Sequence, residues 1–145
     1  MQSAEHQCLI SVGSNIEPRQ NITQARAILA RECRLIASST IIETTPVGFQ
    51  EQANFLNGAF LVATTLDQTA FRDYLKRLED RLGRVRGPIK SGPRTLDLDI
   101  VAWDGRVIDT SGLENDYVRI PVDEVLAMAD LTLEGDEATT PATRR

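Results

Sequence analysis

Apolar residues along this chain recur with two different periods, and those periods divide most of it into strands and helices. Cys8 to Gly13 is an apolar run of strand length. Behind it, Pro18 suits a helix's first turn, and Ile22, Ala25, Leu29 and Cys33 recur at helical spacing, which predicts a helix over 18–32. The β-branched stretch Ile36 to Ile42 predicts a strand over 34–44, and a second strand is predicted over 54–65. Asp67 is a candidate N-cap for the stripe Phe71, Leu75, Leu78 and Leu82, and Gly83 marks its stop, which gives a helix over 67–83. After a loop come strands over 95–103 and 106–109, joined by the hairpin turn Asp104-Gly105. The order βαββαβ predicts a ferredoxin-like α+β sandwich, an antiparallel sheet with helices on one face. No further element is assigned before the C-terminus.

Length and charge narrow the function classes. A chain of 145 residues supports one domain with a real core, expected over 1–133. Glu134 to Arg145, rich in acids, Thr and small residues, reads as a disordered tail. The net charge of −5 provides no basic stripe for nucleic acid. No apolar stretch approaches bilayer length and Met1 to Gln7 is polar, so a cytoplasmic protein that avoids membranes is expected, as a monomer. Cys8 and Cys33 lack metal-ligand spacing and read as buried free thiols. His6 is the sole histidine and lies near the N-terminus, which argues against a His-based triad or a zinc cluster.

The chemistry concentrates in Gly92-Pro93-Arg94-Thr95-Leu96-Asp97-Leu98-Asp99-Ile100. In a strand, Asp97 and Asp99 share one face while Leu96, Leu98 and Ile100 turn to the core. Two adjacent carboxylates raise each other's pKa, a conflict that a divalent cation relieves. Hard oxygen ligands in small number suit Mg²⁺, which takes one or two carboxylates together with substrate phosphates. Arg94, Arg84 and Arg86 add planar donors suited to phosphate oxygens. The same residues also fit an ordinary solvated strand face with surface arginines, and the residue types alone leave both readings open.

Several motifs, in collinear order, resemble the 6-hydroxymethyl-7,8-dihydropterin pyrophosphokinase family. They are Val12-Gly13-Ser14-Asn15, Glu43-Thr44-Thr45-Pro46-Val47-Gly48, Asn54-Phe55-Leu56-Asn57, Glu79 with Gly83-Arg84-Val85-Arg86, and Gly92 to Ile100. The resemblance implies Mg²⁺-dependent transfer of diphosphate from ATP to the hydroxymethyl group of a dihydropterin, a step of folate biosynthesis. It implies that Asp97 and Asp99 hold the metal and, with Arg84 and Arg94, are the catalytic set. It places Thr44, Pro46, Val47, Gly48, Phe55, Asn57 and Tyr117 at the pterin, and Glu79, Arg84, Arg86, Lys90, Arg94 and Ile100 at ATP. Gly13-Ser14-Asn15 is assigned a structural turn, since it lacks the lysine and spacing of a P-loop.

The chain departs from the family beyond the acids. Gly112-Leu113-Glu114-Asn115-Asp116 leads directly to Tyr117, so the histidine and arginine that help hold ATP in the family have no counterpart. Ser91 stands where many members carry tryptophan. Two further readings stay open on these grounds: a paralogue serving another pterin pathway, and a non-catalytic pterin- or nucleotide-binding protein.

Overall fold

The computed structural model describes residues 4–45, 53–83 and 95–136. In chain order the elements are β1 (His6–Ser14), α1 (Pro18–Glu32), β2 (Arg34–Ser38), β3 (Ile42–Thr44), β4 (Phe55–Thr64), α2 (Gln68–Arg81), β5 (Asp97–Trp103), β6 (Arg106–Val107), a 3₁₀ turn (Gly112–Glu114) and α3 (Asp116–Ala129). The strands form one antiparallel sheet in the order β2-β4-β1-β5-β6, with β3 also pairing with β4. This is the α+β ferredoxin-like arrangement that the pattern predicts, with six strands and three α-helices among the described residues.

Local chemistry explains most boundaries. The Asp67 carboxylate accepts from Ala70 N at 2.8 Å and caps α2, while Pro18 opens α1. Asp104 and Gly105 both have positive φ, 51° and 83°, as the two-residue turn between β5 and β6 requires. The strand predicted over 34–44 is two strands, and Ser39 accounts for the break. Its backbone N–H still donates to the Ala59 carbonyl at 2.9 Å, but its Oγ accepts from Ala59 N at 2.9 Å and donates to the Thr40 carbonyl at 2.8 Å, so a side chain takes over half of the pairing there. Gly58 makes room beside it, because a Cβ there would lie 2.5 Å from Ile41 Cδ1.

The sheet has two unlike faces. On one, Cys8, Ile10, Val12, Phe60, Val62, Leu96 and Leu98 pack against Ile22, Ala25 and Leu29 of α1 and Phe71, Leu75 and Leu78 of α2. The helix ends are clamped where Glu32 accepts both Arg81 guanidinium nitrogens at 3.0 Å and the Tyr74 hydroxyl at 2.7 Å. Arg81 first, then Tyr74, holds the Glu32 carboxyl down to about 2. Cys8 is sealed in this core and Cys33 is half-buried, both as free thiols; burial pushes the Cys8 thiol well above its usual range.

The opposite face corrects the expectation that the helices lie on one side only. Val118, Val122, Val125 and Leu126 of α3 cover Leu9, Ala37, Ala59, Leu61, Val101 and Ala102. Those four apolar positions have helical spacing, but three are β-branched and Pro121 lies among them, which obscures the helix in the sequence. Leu133 joins the same layer, and the chain from Glu134 to Asp136, which composition assigns to a tail, is docked. Glu134 N donates to the Gly105 carbonyl at 2.8 Å and its carbonyl accepts from Val107 N at 2.9 Å. Asp136, buried, receives two Arg119 nitrogens at 2.8 and 2.9 Å.

A β-bulge lets β5 serve both faces. Leu9 is paired with Ala102 but Ile10 with Ile100, so Val101 is an extra residue. Asp97, Asp99 and Val101 therefore face the α3 side, Ala102 stays there, and Trp103 returns to pack beside Ile100 on the other. The Val101 carbonyl accepts from Ile108 N at 2.8 Å.

Candidate active site

α3 covers only part of its face, and beyond its N-terminal end the sheet lies open as a cleft of about 520 Å³. The floor is the β1–β5 pair. Ser11 is in register with Asp99 and Gly13 with Asp97, so both acids stand beside small residues of the neighbouring strand and line the cleft. Leu98, between them, is buried on the opposite face, so the alternation expected of the segment holds. Asp97 is half-buried and Asp99 exposed.

The side walls bring together most of the described candidates. Thr44 and Phe55 are in register on β3 and β4, and with Asn57 they line the cleft. Asn57 is buried and its Nδ2 donates to Thr44 Oγ1 at 2.6 Å, which fixes which way the amide faces. Gly13 makes this placement possible, because a Cβ there would lie 3.0 Å from Asn57 Oδ1. Tyr117, in the first turn of α3, closes the far wall, half-buried against the α3 layer.

Two candidates sit apart from the cleft. Ile100 turns into the core behind the sheet. Glu79 is fully buried on α2, and its Oε2 accepts from Leu98 N at 2.7 Å. Pro46, Val47, Gly48, Arg84, Arg86, Lys90 and Arg94 lie outside the described residues. The Gly13-Ser14-Asn15 turn is built as a structural joint: Ser14 Oγ donates to the Thr95 carbonyl at 2.6 Å and Asn15 Nδ2 to the Ala53 carbonyl at 3.0 Å.

The structure also shows lining residues that sequence reasoning did not single out: Ser11, Asp109, Ser111 and Asn115. Ser11 carried a signal, as a polar residue inside an otherwise apolar strand. Asp109 shapes its own loop, accepting from Ser111 Oγ at 2.6 Å and Gly112 N at 3.3 Å. Asn115 precedes α3 without a side-chain capping bond. Arg119, only two residues past Tyr117, is committed to Asp136 and to Asp123, 3.3 Å away.

The donor set in the cleft is hard. Its acids are carboxylates, the free thiols belong to the far side of the sheet, and His6 sits at the other end of β1, 2.7 Å from Asp104. Among the described residues no group of three or more His, Cys, Asp or Glu side chains forms a complete metal cage. Two carboxylates with room for further oxygen ligands suit a small divalent cation that shares its shell with phosphate.

The family described as 7,8-dihydro-6-hydroxymethylpterin-pyrophosphokinase matches residues 9–128, which include both acids and every described wall of the cleft. The chain belongs to this pyrophosphokinase family. It is similar to the 2-amino-4-hydroxy-6-hydroxymethyldihydropteridine pyrophosphokinase of Bacillus subtilis, at 38% identity over 107 residues that cover 72% of this chain and 64% of that protein. The enzyme of the same name from Pseudomonas aeruginosa is 37% identical, with 72% and 66% covered, and that from Haemophilus influenzae 28% identical, with 90% and 87% covered. The match thus spans slightly under two thirds of the Bacillus and Pseudomonas relatives.

Proposed function

We propose that this member of the pyrophosphokinase family transfers diphosphate from ATP to the hydroxymethyl group of 6-hydroxymethyl-7,8-dihydropterin, giving the pterin diphosphate and AMP. The observation that carries the reading is the placement of Asp97 and Asp99, in register with Gly13 and Ser11, on the floor of a cleft walled by Thr44, Phe55, Asn57 and Tyr117.

Asp97 and Asp99 would hold Mg²⁺, whose chemistry when bound is to neutralise polyphosphate charge and lower the pKa of the attacking hydroxyl. Asn57, oriented by Thr44, offers an amide that donates and accepts at once, as the edge of a pterin requires. Tyr117 and Phe55 present ring faces to a planar heterocycle. Thr44, Pro46, Val47 and Gly48 complete the pterin wall in this reading. Arg84 and Arg94 meet the charge that develops as the α–β bridge of ATP breaks, acting by position and electrostatics, and Arg86 and Lys90 hold the nucleotide's phosphates. Ile100 serves ATP through its backbone, since its side chain is in the core. The catalytic domain in this reading runs through Asp136, and the protein works as a cytoplasmic monomer without nucleic-acid partners. That placement is supported by the charge of −5 and by the finding that no helix among the described residues is long and apolar enough to cross a membrane.

The test is direct: purified protein, 6-hydroxymethyl-7,8-dihydropterin, ATP and Mg²⁺, with AMP followed over time. Pterin-dependent AMP formation that stops on chelation is expected. Pterin or nucleotide binding without AMP would leave a binding protein, and turnover only with a different pterin would make it a paralogue of another pathway.

A further inference from the structure

Glu79 is a carboxylate with no exposed surface, carried on the helix face that otherwise presents Phe71, Leu75 and Leu78 to the core. Burying a polar group there costs free energy that only good hydrogen-bond partners offset. One of its partners is telling: Oε2 accepts from the backbone N–H of Leu98, the residue between the two acids, at 2.7 Å.

The sheet explains why that N–H needs an acceptor. Along 97–99, β5 is paired on one edge with β1, through Gly13, Val12 and Ser11. On its other edge β6 reaches only Ala102 and Trp103. Among the described residues no strand pairs with that outer edge beside Leu98, and a carboxylate oxygen there accepts the N–H that would otherwise be buried without a partner. The bond fixes the peptide plane between Asp97 and Leu98, one end of which is the Cα that carries Asp97 into the cleft, with Asp99 the next residue along the strand.

We infer that Glu79 is a positioning residue: from the core side of the sheet, it sets the strand geometry that makes Asp97 and Asp99 a matched pair of metal ligands. This replaces the nucleotide contact expected from sequence with an indirect role, and it rests on the proposal that the two acids hold the metal. Outer supports of metal ligands commonly matter about as much as tenfold to a hundredfold in affinity.

The experiment measures Mn²⁺ binding by calorimetry with a saturating non-hydrolysable ATP analogue, on folded protein verified by circular dichroism. Glu79→Leu, of similar volume and without an acceptor, is expected to raise the Mn²⁺ dissociation constant about tenfold or more. Glu79→Gln, which keeps an oxygen for Leu98 N–H, should stay within about twofold of the unsubstituted protein, because the hydrogen bond rather than the charge sets the strand. If Glu79→Leu does not fold, Glu79→Asp, one methylene short of Leu98, takes its place with the same expected loss. Unchanged Mn²⁺ affinity in folded Glu79→Leu or Glu79→Asp overturns the inference, as does loss of affinity in Glu79→Gln equal to that in the variant lacking the bond. Asp97→Ala, run alongside, separates the two ideas: if it too leaves Mn²⁺ binding unchanged, the metal assignment itself fails, and the inference with it.

Discussion

The two faces of one sheet are finished differently. On the α1–α2 side, the apolar residues of β1, β4 and β5 run unbroken beneath two helices. On the α3 side, the same strands begin apolar, at Leu9, Leu61 and Val101, and then turn polar at Ser11, Asn57, Asp99 and Asp97, where α3 gives out. One face is spent on cohesion. The other is half core and half cleft, and the polar residues mark where cohesion has been exchanged for access to solvent and ligand.

If that contrast is right, substitutions on the two faces should separate stability from turnover. The largest effect is expected on the closed side: Phe71→Ala should cost about 3–5 kcal/mol of stability, seen as a lower midpoint in chemical unfolding, while turnover per folded molecule persists. On the open side, Asp97→Ala or Asp99→Ala should cut AMP formation at least about a hundredfold, about 2.7 kcal/mol in the barrier. Their unfolding midpoints should hold or rise, since a like-charge neighbour has been removed. Near-normal turnover in either folded variant would erase the distinction between the faces.

Arg119→Ala tests whether the covered half of the α3 side behaves as core. It leaves Asp136 buried without its bidentate partner, and a loss of about 1–3 kcal/mol in urea unfolding is expected. Tyr117 stands at the border between the halves. Tyr117→Ala should weaken pterin binding about tenfold by fluorescence titration while Tyr117→Phe largely preserves it, because the ring face makes the contact; equal affinity in all three proteins would move Tyr117 out of the pocket.

The smallest effect belongs to the end of the sheet away from the cleft. His6, and then the backbone of Gln7, holds the Asp104 carboxyl below its ordinary value of 3.8. A depressed carboxylate contributes stability that is present above the ordinary value and lost as pH falls through the lower, folded one. The pair is substantially exposed, so Asp104→Asn should cost only ~0.2–1 kcal/mol near neutral pH. That difference should close in thermal melts taken progressively below pH 4.

Much of this was legible from the chain alone because the signals were local. Alternation placed Asp97 and Asp99 together, periodicity placed α1 and α2, and Asp104-Gly105 declared its turn. What stayed hidden depends on partners distant in sequence. Ser39 breaks a β-branched run by bonding to Ala59, which no window around residue 39 reveals. α3 draws its stability from the sheet face it covers, against the helix propensity of its valines and Pro121. Asp136 looked like part of an acidic tail until Arg119 was seen beside it. The wall residues Asp109, Ser111 and Asn115 are gathered by the loop that follows β6, whose path a linear pattern does not specify.

The extra residue at Val101 has an implication for how this protein tolerates change in length. It divides β5 into two stretches whose phases are set independently, one counted from Gly13 and Ser11 and the other from Leu9 and Cys8. Insertions in the Asp104-Gly105 turn would be absorbed on the hairpin side of that boundary, with no shift of the acids. Deleting Val101 itself would remove the bulge and leave Ile100 opposite Ile10 and Ala102 opposite Leu9 in regular alternation, so neither Trp103 nor the paired aspartates would change sides. In a scan of single-residue deletions, this position should be more forgiving than Leu98, whose loss would put Asp97 and Asp99 on opposite faces of the sheet.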